Sequence, residues 1–118
     1  MIAQGLRKKI EEIANKKDWK ITFSEQSCET VIEFENYTDA GQNLIVTIFV
    51  KDDSSRQDVA NAIYEYWYSY DPDYEASLWI GSDGHGKNGA PYHISDIIDD
   101  MKNAENMIEE LFIDISKG

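Results

Sequence analysis

Gly81, Gly84, Gly86 and Gly89 fall within nine residues that also carry Asp83, His85, Lys87 and Asn88, with His93 just beyond Pro91. Three chemistries use residues of these types. A phosphate cradle needs Gly, four residues, then Gly-Lys-Ser/Thr, with the lysine opening a helix so that free N–H groups and the helix dipole meet the phosphates. Gly81 to Lys87 fits the first part, but Asn88 stands where the magnesium-holding hydroxyl belongs, and Ala90-Pro91 bars a helix from continuing past Lys87. A zinc site on a helix needs two histidines at i, i+4, whereas His85 and His93 are eight apart across a proline. Asp83 and His85 can supply two ligands, and no third is marked. General acid–base catalysis needs two placed carboxylates, and spacing singles out no pair from the twenty-three acids. Asp83, His85, Lys87, Asn88 and His93 thus define one alternative, a small metal-binding or enzymatic domain using loop 81–91. No catalytic residue, cofactor or metal ligand set is assigned.

Two further candidates fail on their own terms. Asp71, Asp73 and Glu75 alternate like the first ligands of a calcium loop, but Ala76 and Ser82 stand where that loop requires Gly and Glu. Asp71-Pro72 instead reads as the cap and first residue of a short helical turn. Cys28 lies in a polar segment with neither histidine near in sequence, so a nucleophilic role lacks its base. A single cysteine forms no internal disulfide, which fits a reducing cytoplasm.

The elements that position these residues follow from periodicity. Ile2, Leu6, Ile10 and Ile13 recur at helical spacing and predict a first helix. Trp19–Ser24, Thr30–Glu35 and Leu44–Val50 alternate apolar and polar residues and predict three strands, joined by connections short enough for antiparallel pairing. The third strand is apolar on both sides, which predicts a central or covered position. Asp52 to Ser55 offer caps for a helix over Arg56–Tyr70, with Val59, Ile63, Tyr66, Trp67 and Tyr70 as its core stripe. Trp67 and Trp79 are expected to be largely buried. Ile94, Ile97, Met101, Ala104, Ile108, Leu111 and Ile115 form an unbroken seam on a long final helix. The chain reads as one α+β domain over 1–118: a three-stranded antiparallel sheet covered by helices, in the order α-β-β-β-α-α, with the short Asp71 turn ahead of the loop.

Charge bounds the partners. The net charge is −12, with no apolar run long enough for a membrane span and no apolar stretch of secretory type at the N-terminus. Residues 1–20 hold six Lys or Arg against three acids, so residues 21–118 hold five against twenty. This surface disfavours nucleic acid and anionic membrane and favours a basic protein partner. On the final helix Asp96, Asp99, Asp100, Glu105, Glu109, Glu110 and Asp114 spread over about 27 Å of axis. That is about one carboxylate per 4 Å, against a phosphate every 3.4 Å or so on a DNA strand. The expected role is a non-enzymatic, cytoplasmic interaction protein binding a basic partner through this row, in the manner of a DNA mimic or antirestriction protein. The other reading from the same helix is a structural homodimer through its apolar seam, so both a monomer and a homodimer are open.

Asp71, Asp73, Ala76 and Trp79 form a D-x-D-x-x-A-x-x-W segment, followed by a loop with Gly89 and Pro91 and by the acidic helix. In this second half the chain resembles a loose family of short acidic proteins of unknown function encoded on bacterial phages and conjugative elements. The resemblance implies a bacterial cytoplasm and a mobile-element setting, where small acidic proteins sometimes inhibit DNA-binding host defences. It implies no activity and no site.

Overall fold

Alternation of side chains across the pleat decides which sheet face is buried. In the computed structural model, which describes residues 1–118, strands β1 (Lys20–Gln26), β2 (Glu29–Tyr37) and β3 (Asn43–Lys51) form an antiparallel meander in that order. The register sets Phe34 opposite Ile21 and Val46, and Ile32 opposite Phe23 and Ile48. The period of two therefore gathers these residues on one face. Helices α1 (Gln4–Asn15), α2 (Arg56–Ser69) and α4 (Ile94–Lys117) supply the apolar side chains that meet it, including Ile10, Ile63, Ile108 and Leu111. The short helix α3 (Pro72–Ser77) packs with α4 around a smaller cluster of Ala76, Ile97 and Met101. The order is thus α-β-β-β-α-α-α, the Asp71 turn having become a helix of its own.

The local signals act as their chemistry requires. Ser55 and Asp58 close a reciprocal capping box at the start of α2. Asp71 Oδ1 accepts the Asp73 N–H at 3.0 Å with Pro72 in the first turn of α3. Ile2 is buried but precedes α1 instead of riding on it, and its N–H donates to Thr30 Oγ1 at 2.8 Å.

Two expectations need correction, the place of β3 and the burial of Trp67 and Trp79. β3 is neither central nor covered on both faces: it is an edge strand, and Ile45 and Phe49 on its outer face are 40% and 52% exposed. Branched and aromatic residues there reflect a fit to the pleated surface, which is not the same as burial. α2 lies along this edge, where Tyr66 Oη donates to the Ile45 carbonyl at 3.0 Å and blunts it against further strand pairing. The seam of α4 is spent within the monomer: Ile97, Met101, Ala104, Ile108, Leu111 and Ile115 are all buried, and Ile94 alone is 41% exposed. A homodimer through that face would have to open the core.

Trp67 and Trp79 are half-buried, not enclosed. Trp67 packs on the rim of the core against Tyr64, with ring centroids 5.5 Å apart. Replacing Trp67 by Ala is accordingly expected to cost about 2 kcal/mol, below the 3–5 typical of enclosed aromatics. Urea denaturation of the two proteins measures it.

Candidate functional site

The Gly-rich loop is a small folded unit. Gly81 N–H donates to the His85 carbonyl at 2.7 Å, Lys87 N–H to Trp79 at 2.9 Å and Gly86 N–H to Tyr92 at 3.0 Å, and Ile80 bridges to Gly86 as an isolated antiparallel pair. Asp83 Oδ1 accepts the His85 N–H at 3.1 Å, which is a local turn bond. The His85 ring stacks on Tyr92 at 4.0 Å, and Tyr92 meets His93 edge-on at 5.2 Å. These five residues are therefore not assembled into a ligand set, and nowhere do three His, Cys, Asp or Glu side chains come together in a metal-holding group. Lys87 is exposed and seven residues ahead of the helix at Ile94, so the phosphate-cradle geometry is not formed. Cys28 is exposed in the β1–β2 turn, where the surrounding depression is lined by acids and Lys51 with no imidazole among them.

The acidic residues of α4 do not form one row. At about 100° per residue, Asp96, Asp99, Glu110 and Asp114 project along one flank of the buried stripe, and Glu105 and Glu109 along the other. Asp100 leaves the surface altogether. It is 5% exposed, and its carboxylate accepts Thr38 Oγ1–H at 2.7 Å and Ala40 N–H at 3.0 Å. Thr38 Oγ1 in turn accepts the Gln42 N–H at 3.0 Å, so Asp100 organises the β2–β3 turn. Glu110 and Asp114 share Lys17, at 3.4 and 2.9 Å, and the hydrogen bond that Lys17 donates to Asp114 holds its ammonium above its ordinary pKa. Asp96 and Asp99, with Asp39 of the turn, border an open depression and carry no ion pair.

The most enclosed concavity lies elsewhere. α2 is capped at Tyr70, whose extended backbone hands the chain to the Asp71 cap, and α3 then packs against α4. Tyr66 and Tyr70, one turn apart on α2, form one wall of a cleft of about 340 Å³ with Glu75 and Trp79. Thr38, Asn43 and Ile45 of the β2–β3 hairpin and Met101 of α4 line it as well. Asn88 stands at its margin, in a loop tied to the β2–β3 turn by Gln42 Nε2 donating to the Gly89 carbonyl at 2.9 Å. Burial first, and the nearby Asp71 charge second, hold the Glu75 carboxyl above the usual glutamate pKa. Burial likewise raises the Tyr66 and Tyr70 hydroxyls, with Glu75 adding to both.

Sequence reasoning placed Tyr66 and Tyr70 on the core stripe and missed the cleft. The legible signal was their i, i+4 spacing with a carboxylate five residues after Tyr70; the rest of the lining comes from a segment more than twenty residues upstream. Comparison with protein-family models, curated proteins and solved structures yields no match.

Proposed function

We propose that this protein is a non-enzymatic interaction module that binds a basic protein partner through its uncompensated carboxylates. One observation carries the reading. Of the twenty-three Asp and Glu side chains, only Glu25, Asp52, Glu110 and Asp114 lie within 4.0 Å of a cationic group, the first two against the Met1 amino group and the others against Lys17. The rest present a negative field that a basic surface complements. One concentrated part is the depression surrounded by Asp39, Asp96 and Asp99, none of which carries an ion pair. Since the α4 carboxylates split between two flanks, the partner is read as a basic protein surface and not as a protein deceived by an imitation of the phosphate row. A mobile-element setting, in which such a partner is a host DNA-binding protein, accords with this reading.

Asp39 and Asp99 are exposed and make no side-chain bond, so the double change Asp39→Lys with Asp99→Lys should alter stability by no more than about 0.5 kcal/mol. Capture from lysate at low and high salt compares it with the native chain and with a control reversal of Glu11 and Glu12 on α1. The expected outcome is a basic protein held at low salt by the native and control chains and lost from the Asp39/Asp99 variant. Equal recovery by all three, or a partner that is not basic, refutes the reading.

A further inference from the structure

We propose that the cleft between α2, α3 and the β2–β3 turn is a binding site for an alkylammonium cation, enclosed by Tyr66, Tyr70 and Trp79 and neutralised by the Glu75 carboxylate. The inference goes beyond the basic-partner reading and stands on a separate part of the surface, since Asp39 and Asp99 do not line this cleft.

The lining chemistry selects the ligand. Aromatic faces carry negative electrostatic potential and attract organic cations, most strongly where water is partly excluded. The ring orientations are fixed by the fold: Tyr66 Oη donates to the Ile45 carbonyl at 3.0 Å and Tyr70 Oη to Met101 Sδ at 3.6 Å. Both hydroxyls are thus occupied, and the ring bodies are what the walls offer. The aromatic pairs of the protein join Trp19, Phe34, Tyr64, Trp67 and others, and none uses Tyr66, Tyr70 or Trp79, so no ring is covered by another. Three partly exposed aromatics without aromatic partners thus line one space.

The charges point the same way. Glu75 is the one charged side chain among the lining residues, and no Lys, Arg or His lines the cleft. Every ionisable neighbour acting on the site is acidic or a neutral phenol: Asp71 at the cap of α3, Tyr66 and Tyr70 on α2, and Asp100 and Glu105 of α4, which act on Tyr70. An anion would be repelled by this set. A neutral apolar ligand would seal Glu75 away from water without a counter-charge. A cation satisfies both the rings and the carboxylate, and the volume of about 340 Å³ is of small-ligand size. The cation is either a free amine or the end of a lysine side chain, which share this chemistry.

The test uses the full chain and defined probes. Choline stands for a free quaternary amine and n-butylammonium for a lysine side chain; the uncharged isostere of choline, with carbon in place of nitrogen, is the control. Binding is read from the Trp79 indole and Tyr70 ring resonances. The expected result is saturable shifts with at least one ammonium probe and binding of the isostere weaker by about tenfold or more. The tighter ammonium names the source. Glu75→Gln is expected to leave the melting temperature unchanged or raised, because it removes a carboxylate that burial disfavours, and to weaken binding about tenfold. Trp79→Leu should weaken it also, while choline should lower the Glu75 pKa toward its ordinary value. Equal binding of choline and its isostere, the absence of any saturable shift, or undiminished binding by folded Glu75→Gln overturns the proposal. These probes need no protein partner, so a failure here is separable from the lysate capture, where loss on Asp39/Asp99 reversal alone would leave the basic-partner reading standing.

Discussion

Replacing Asp100 by Ala is expected to lower the unfolding free energy by about 3 kcal/mol, with the β2–β3 turn released from α4. Asp100 is buried and accepts two hydrogen bonds from a segment some sixty residues away, from Thr38 Oγ1 and from the Ala40 amide. Bonds to a carboxylate contribute about 1.5–3 kcal/mol each, and deleting the acceptor strands the two donors. Thr38 is itself buried, so its hydroxyl has little access to water as a substitute. The loss does not stop at the pair. Thr38 N–H donates to the Gln42 carbonyl, Thr38 Oγ1 accepts the Gln42 N–H, and the Gln42 side chain holds the loop at Gly89. Asp100→Asn keeps the shape and one acceptor oxygen, and about half the loss is expected. Urea denaturation of the three proteins measures this series. An Asp100→Ala loss under about 1 kcal/mol would mean that the turn finds other partners. Because Thr38, Asn43 and Ile45 line the cleft, the Ala variant should also bind an ammonium probe more weakly than its residual fold alone would require.

Asp100 also shows where sequence reading succeeds and where it stops. The seam of α4 was legible because one face of a long helix must meet the core, and Ile97 to Ile115 all do so. Asp100 stands three residues after Ile97 and four before Ala104, which places it at the border of the same stripe. That spacing separated it from Asp96 and Asp99, but its identity as an acid grouped it with them. Residue type and position conflicted, and position won because Thr38 and Ala40 arrive with donors that no local pattern announces. The alternation of Ile32 and Phe34 likewise located the sheet core correctly. The same reasoning misplaced β3, since branched and aromatic residues fit the pleated surface of an edge strand even where one face is left open. The cleft lay beyond reach for a related reason. Tyr66 and Tyr70 were visible as a pair, whereas Glu75, Asn43 and Asn88 join them only through two chain reversals and a side-chain bond from Gln42.

Gly86→Ala should detach the loop from the Pro91–Tyr92 segment at a cost of about 3 kcal/mol, the overpacking range for a site with little room to yield. A Cβ on Gly86 would stand 1.9 Å from the Pro91 carbonyl oxygen and 2.9 Å from its carbon, and both are backbone atoms that no rotamer change can clear. The backbone angles of Gly86 are not in the left-handed region, so the requirement is for space. Gly84 supplies the contrast: it has φ +81° with nothing near its absent Cβ, and Gly84→Ala should cost only about 1–2 kcal/mol of conformational strain. Separating residue 86 from Pro91 strains the Gly86–Tyr92 hydrogen bond, the Ile80 bridge and, through the adjacent residue, the Lys87–Trp79 bond that fixes the cleft's aromatic wall. Amide hydrogen exchange at residues 86 and 87 is therefore expected to quicken at least tenfold or so, with a red-shifted Trp79 emission. α1, α2 and the sheet should keep native exchange, because the main core does not include the loop. If Gly86→Ala and Gly84→Ala gave equal losses with unchanged exchange at residue 87, the close approach to Pro91 would not be what holds the loop, and Trp79 would owe its position to its packing beside Ala76 and Met101 alone.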